Sequence, residues 1–374
     1  MVRSRTLPFG ILLVRKAEVC TASIGVLRFS ACSFVWNYAL FGGGRLNMDL
    51  SKRDYQWDNI KGLIIILVIF THAISNLYKG WSENTITKYL YYLGFSFHMP
   101  VMIFISGYFS KRKTDYRTYI VKAIKSCLIP FFVFNFLYGL PSVKSALYIL
   151  SPKWTLWYLL SLFCWKVLSE IVSKFKWSIP LVLLTSLYIG LFPVGSFLSL
   201  SRTIGFFPFF LVGYYCRQEH VSKIRAVKKI LPIAAFIITL IIAGILSNTG
   251  IKAATLFFRD SYKTLGQTYI QGIALRAVLL ITGFLCVFGF VSIMPAKKTV
   301  ISNFGMYSIT IYLGHSLAIR ILKHFKIISI SNPFLFIGFA VLFSLALSFA
   351  LGNKKVFNLY QKIIGKIGDL IIAS

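Results

Sequence analysis

Ten long apolar stretches recur along this chain, separated by short segments in which lysine and arginine gather. A helix crossing the hydrocarbon of a bilayer needs about 20 such residues. Read by that rule, the spans fall at 60–78, 88–109, 119–138, 154–172, 179–196, 202–216, 230–247, 268–291, 301–322 and 332–352. The pattern predicts an all-α polytopic membrane protein with about ten transmembrane helices, because helices satisfy their own backbone groups where no water can. Pro193, Gly195 and Pro208 interrupt the fifth and sixth stretches. Residues 248–267 form the only long polar segment between spans, and no soluble catalytic domain is expected beside them. The membrane helices carry whatever the protein does.

Composition agrees. The 374 residues are 57% hydrophobic and only 14% charged, against about 25% charged in a soluble domain. The net charge of +31 raises the question of nucleic acid. Nucleic-acid binders, however, cluster their basic residues on a soluble fold, and here they sit in short loops between apolar runs, so no nucleic-acid partner is expected. Lysine and arginine are about twice as abundant in the loops on the side of Lys52 and Arg53 as in the opposite loops. That bias places both termini in the cytoplasm, and an even number of spans agrees. Membrane lipids are the surrounding partner, and a multi-pass protein of a bacterial plasma membrane is the expected localisation. The six cysteines show no CxxC pair and no metal spacing, so neither a metal nor a disulfide is assigned.

The expected organisation is an N-terminal extension at 1–47 that is not necessarily part of the native protein, a transmembrane domain at 48–360 and a cytoplasmic tail at 361–374. The extension mixes apolar residues with Arg15, Lys16, Arg28 and Arg45, and it ends just before Met48, where translation is expected to begin.

Two histidines interrupt the apolar pattern. His72 lies near the end of the first span, eleven residues after Lys61, and His98 lies within the second. Ionisable groups inside hydrocarbon are costly and mostly functional. At 1.5 Å per residue, His72 is about 16 Å from Lys61 along the helix axis. His98 is about 13–15 Å from the outer end of an antiparallel neighbour, so the two imidazoles share a depth. Such a pair offers a base and a proton-transfer partner near neutral pH. Asp58 and Lys61, three apart, occupy one face at the cytoplasmic start of the first span. Lys166 and Glu170, four apart, read as a structural pair, and Arg276 as an interior or snorkelling cation. Trp81, Trp154 and Trp157 fall near the outer face, where aromatic residues form interfacial belts.

These residues also carry a resemblance. Asp58-Asn59-Ile60-Lys61-Gly62 through His72 is followed by Phe95-Ser96-Phe97-His98-Met99-Pro100 and Phe104-Ile105-Ser106-Gly107-Tyr108-Phe109. Further along stand Leu128-Ile129-Pro130-Phe131, Trp157-Tyr158-Leu159-Leu160-Ser161-Leu162, Ser201-Arg202-Thr203, Phe207 through Tyr214, and Tyr307-Ser308 with Ile311-Tyr312-Leu313-Gly314-His315. In that order they resemble the integral-membrane acyltransferase 3 family over about residues 53–352, and the last stretches look most like its fucose 4-O-acetylase-related branch. A basic residue, ten intervening residues and a histidine form that family's first-helix motif, which Lys61 and His72 match.

The resemblance implies a membrane-bound O-acetyltransferase. It would move an acetyl group from cytoplasmic acetyl-CoA to a sugar hydroxyl of a cell-surface polysaccharide or its lipid-linked oligosaccharide precursor. No tightly bound cofactor is expected, acetyl-CoA being a substrate. His72 would be the base or a transient acyl carrier, with His98 beside it as the second catalytic group. Asp58 and Lys61 would anchor the donor side or orient the first helix. The family's Arg-x-x-Arg pair at the start of the third helix has its nearest equivalent in Lys122 and Lys125, which lack bidentate geometry. They belong to a basic cluster, Lys111 to Lys125, suited as point charges to the phosphates of CoA. Arg202, at the outer start of the sixth span, suits an acceptor sugar or lipid phosphate, and His315 would complete the polar pocket. The competing reading is a transporter or flippase for a glycan precursor, using the same intramembrane histidines and arginines without acyl transfer.

Overall fold

The computed structural model describes residues 53–140, 151–195 and 197–373. The expected extension at 1–47 and the start at Met48 lie outside the described residues, as does the last residue of the span expected at 179–196. Among the described residues every regular element is helical.

The helices are α1 (Gln56–Leu77), α2 (Thr85–Tyr108), α3 (Tyr116–Gly139), α4 (Trp157–Val172), α5 (Ser178–Leu191), α6 (Leu200–Tyr215), α7 (Gln218–Arg225), α8 (Ile230–Asn248), α9 (Tyr269–Ile293), α10 (Ser308–His324), α11 (Pro333–Leu351) and α12 (Lys354–Ala373). Eight of the described helices are long and apolar enough to cross a membrane: α1, α2, α3, α4 with its leading 3₁₀ turn, α6 with its own, α8, α9 and α11. The protein is an all-α polytopic membrane protein.

The two remaining expected spans are shorter than the sequence suggests. α5 stops at Leu191 because Phe192, which precedes Pro193, is extended, as residues before proline favour. The stretch expected at 301–322 is broken at Tyr307 into a short turn, Ser302–Met306, and α10. The break lets Gly305 lie directly against the backbone of Asp58, where a side chain would collide with the carbonyl.

Local chemistry explains most boundaries. Asn84 accepts from the backbone N–H of Ile86 and Thr87 at the start of α2. Asn332 caps α11 in the same way, with Pro333 at the first helical position, where its missing N–H is harmless. Thr268 and Gln271 form a reciprocal capping box on α9. α3 contains a π-helical turn, Ile124–Leu128, just before Pro130. Proline cannot return a hydrogen bond to the preceding turn, and the wider turn absorbs the mismatch.

α2 is the centre of the bundle and packs against α1, α6, α8 and α9, while α1 packs against α2, α10 and α11. Small residues set the closest crossing. A side chain at Gly107 would meet the carbonyl of Phe210, and one at Gly213 would meet that of Phe104, so α2 and α6 touch backbone to backbone near their C-terminal ends. α12 runs across the expected boundary between domain and tail. Phe357, Tyr360 and Ile364 on one of its faces are buried, Leu359, Ile363 and Leu370 on a second are exposed, and lysines occupy a third. The segment 361–374, expected as a tail, continues the helix that begins at Lys354.

Candidate active site

α1 and α2 run antiparallel, so residues late in α1 meet residues in the middle of α2. This brings His72 and His98 together, with ring centroids 6.4 Å apart. α10 adds a third ring: His315 lies 5.5 Å from His72. The aromatic ring of Phe95 stands edge-on to both His72 and His98, at 5.3 and 4.8 Å. Three histidines from three helices therefore form one cluster.

Their hydrogen bonds differ. His98 Nδ1 is 2.6 Å from the Gly94 carbonyl. A carbonyl only accepts, so Nδ1 carries the proton and Nε2 presents its lone pair. His315 Nδ1 is 3.2 Å from the Ile311 carbonyl, and Ser316 Oγ lies 3.3 Å from its Nε2. Ser316 is joined in turn to Thr155 at 2.7 Å. Among the described residues the His72 ring makes no hydrogen bond, and it lines the cavity described next.

That cavity, of about 320 Å³, is lined by His72 and His98, by Ser75, Asn76, Trp154, Thr155, Trp157, Tyr158 and Tyr312, and by two arginines, Arg202 and Arg259. It begins at the level of Ile65 and widens toward the end where α1 finishes. Met102 and Tyr158 lie at its deep end, and Tyr158 is tied to Ser106, one helical turn further along α2, by a 2.6 Å hydrogen bond. Tyr312 donates to the carbonyl of Thr155, clamping α10 to the start of α4. His315 is fully buried behind His72 and does not line the cavity.

The mouth is built on unusual backbone. Trp154, Leu198, Ser199 and Phe258 all have positive φ, between 47° and 55°. Such conformations cost of order 1–3 kcal/mol in residues other than glycine and gather at functional sites. Leu198 and Ser199 set the start of α6 and so the place of Arg202, while Phe258 sets Arg259. Ser201 Oγ locks the two together by donating to the Phe258 carbonyl at 2.7 Å. Phe206 stacks on Phe258 at 4.6 Å, and Arg276 covers the Phe258 ring at 4.6 Å while donating to the Ser186 carbonyl. Arg276 is thus an interior structural cation that holds this corner.

The donor-side residues read from the sequence lie elsewhere. Asp58 and Lys61 form a 2.9 Å ion pair whose side chains are 5% and 1% exposed. They sit beside Asn59, which donates to the carbonyls of Pro295 and Lys297. This is a joint between α1 and the Ser302–Met306 segment, not a wall of the cavity. Lys122 is exposed, and Lys125 pairs with Asp369 of α12 at 2.6 Å. Neither lines the cavity. The expected pairing of Lys166 with Glu170 does not form. Glu170 instead binds Arg112 at 2.7 Å and accepts from Tyr214, and Lys166 is buried over the ring of Tyr119 at 5.6 Å.

Sequence reasoning had treated Arg259 only as a loop charge. Its neighbour offered a signal: Asp260 accepts from Arg259 Nε and Nη2 at 2.9 Å each and holds the guanidinium above its ordinary pKa. Tyr158 and Tyr312 were quoted for the resemblance but given no part in the site. Among the described residues no group of three or more His, Cys, Asp or Glu side chains is arranged to hold a metal ion.

A family model described as an acyltransferase domain, acyltransferase 3, matches residues 54–353. Comparison with curated proteins and with solved structures gives no match. The matched region takes in α1 through α11, and the chain belongs to this acyltransferase family.

Proposed function

We propose that this acyltransferase is an O-acetyltransferase that takes its acetyl group from acetyl-CoA and delivers it to a sugar hydroxyl of a cell-surface polysaccharide or its lipid-linked precursor, in the bacterial plasma membrane. The observation that carries the reading is the pairing of His72 and His98 on one cavity at membrane depth, beside cationic and aromatic groups. Imidazoles suit the task because their ordinary pKa lies close to neutral pH.

In this reading the acceptor hydroxyl enters from the mouth near Asn76, Trp154 and Arg259, and Trp157 supplies an apolar face for the sugar ring. His72 takes the hydroxyl proton as the oxygen attacks the thioester carbonyl. The new C–O bond forms and the C–S bond breaks. The proton passes by way of His98 to the sulfur, and the products are the sugar acetate and CoA. His315, hydrogen-bonded to its own helix and to Ser316, holds the His72 ring from behind as a positioning residue. The donor approaches from the cytoplasmic face, where the basic segment Lys111–Lys125 suits its phosphates. It reaches the histidines past Tyr158 and Ser106, whose hydrogen bond opens for the thioester arm.

The test is release of CoA from acetyl-CoA by the purified protein in nanodiscs, with envelope glycan or lipid-linked oligosaccharide as acceptor and the His72→Ala variant alongside. Acceptor-dependent release that disappears in the variant supports the reading. Movement of glycan across the bilayer with no acyl transfer would replace it with the transporter.

A further inference from the structure

At one corner of the cavity two guanidiniums, Arg202 and Arg259, stand against the single carboxylate of Asp260. The cavity's lining residues include Arg202 and Arg259 and no aspartate or glutamate. Arg259 is satisfied by Asp260. Arg202 is not: its Nε is buried without a hydrogen-bond partner, and among the described residues no carboxylate lies within ion-pair distance of it. Its one close contact is the face of Trp157, 5.0 Å from the guanidinium carbon. Cationic groups gathered on the wall of a membrane cavity are costly unless an anion answers them, and the local backbone fixes Arg202 in that place. The residues at 198, 199 and 258 adopt left-handed conformations, and the Ser201–Phe258 hydrogen bond fixes Arg202 and Arg259 at one corner of the mouth.

From this geometry we infer that the acceptor is an acidic sugar, whose carboxylate or phosphate ester is held by Arg202 while its hydroxyl faces His72. The inference rests on the acetyl-transfer reading for the direction of the hydroxyl, but the anion site is defined by its own residues. The phosphates of the acyl donor do not supply the missing charge. The basic segment suited to them lies at the other end of the bundle, with Lys111 beyond the end of α2, whereas Arg202 opens α6 at the mouth. A guanidinium that stacks on an aromatic plane and keeps its fork free matches a planar carboxylate or a phosphate with two parallel N–H···O bonds, which lysine cannot reproduce. Trp157 braces the guanidinium and is itself stacked on Phe206 at 5.5 Å.

The experiment is isothermal titration of the full-length protein in nanodiscs with two matched probes, p-nitrophenyl β-D-glucuronide and p-nitrophenyl β-D-glucoside, with glucose 1-phosphate as a third arm. Wild-type protein is expected to bind the glucuronide at least about tenfold more tightly than the glucoside. In Arg202→Gln the two affinities come within about twofold, and a melting curve close to that of wild type reports that the variant is folded. Arg202→Lys is expected to keep only part of the preference. Tight binding of glucose 1-phosphate in place of the glucuronide assigns the anion as phosphate and still supports an acidic acceptor. Wild-type protein that binds neither anionic probe better than the glucoside, including binding none of them, overturns the proposal, as does a preference that survives in Arg202→Gln. CoA release with a neutral acceptor and no anion preference would refute this inference and leave the acetyltransferase standing.

Discussion

The two ends of the bundle treat charge and backbone in opposite ways. At the end where α1 begins, ion pairs are closed: Asp58 with Lys61, Arg112 with Glu170, Arg225 with Asp54 and Lys125 with Asp369. Helices there touch through glycine, as at Gly107 and Gly213. At the other end the helices part around a cavity, Arg202 makes no ion pair among the described residues, three histidines crowd together, and five described residues other than glycine adopt left-handed backbone. Groups that satisfy one another hold a structure, and groups left unsatisfied around a void are kept for something that enters it. The contrast assigns stability to the first region and chemistry to the second, and substitutions on each side test that division.

The largest effect is expected at the cavity. His72→Ala should lower the rate of acetyl transfer by roughly 10²–10⁴, the range a positioned general base contributes, with little change in thermal unfolding because the ring faces a void. Steady-state CoA release and a melting curve on the same preparation check both halves. A large loss of stability with unchanged activity would invert the division.

Asp58→Asn should do the reverse. It removes the carboxylate beside the nearly inaccessible ammonium of Lys61, and breaking a buried pair from one side costs about 3–5 kcal/mol. Thermal unfolding in nanodiscs should fall sharply, and the double change Asp58→Leu with Lys61→Met should recover most of the loss. If Asp58→Asn leaves stability intact and raises KM for acetyl-CoA, the pair belongs to the donor site after all.

How much of this was legible in the sequence follows the same division. Hydropathy reports on lipid exposure, so the long spans could be read directly, and α1, α2 and α9 lie within a few residues of their expected limits. It fails where protein replaces lipid as the neighbour. The span expected at 301–322 breaks at Tyr307 for the sake of a contact with Asp58, and α12 pairs only one face with the bundle. His72 and His98 stood out because an imidazole in an apolar run has few structural excuses. Arg259 did not, because a cation in a polar loop is unremarkable until folding brings Phe258 against Phe206 and turns the loop over the cavity. The role of Asp58 and Lys61 was hidden for a related reason. A motif shows that two charges share a face, and only packing shows whether that face meets a ligand or the carbonyl-rich turn near Pro295.

A smaller effect is expected where the C-terminal ends of α2 and α6 cross. Gly213→Ala places a methyl group against the carbonyl of Phe104, and overpacking of this kind typically costs about 1–3 kcal/mol. Because Phe206 and Phe209 of α6 reach the region of the cavity, the displaced helix should also reduce acetyl transfer in proportion to the loss of folded protein. Activity per folded molecule, counted from the melting curve, is expected to stay near wild type. A fall in that normalised activity would mean that the crossing itself takes part in passing the donor inward.

The smallest effect on stability is the one that most sharpens the comparison. Lys125 and Asp369 are joined at 2.6 Å, but the Asp369 side chain is 74% exposed, and a pair so open to water contributes no more than about 1 kcal/mol. Lys125→Gln should therefore hardly move the melting temperature. If the basic segment of α3 binds the phosphates of CoA, the same change should raise KM for acetyl-CoA severalfold, and added salt should weaken donor binding in wild type more than in the variant. Asp369→Asn should act oppositely, releasing Lys125 from its carboxylate and lowering that KM, again without a change in stability. Opposite shifts of one kinetic constant from the two partners of one exposed ion pair would place a ligand at the end of the molecule otherwise given over to structure. Unchanged KM in both variants would leave the lysines of α3 as charges that orient the protein in its membrane, and the donor site would have to be sought among the residues beneath Tyr158.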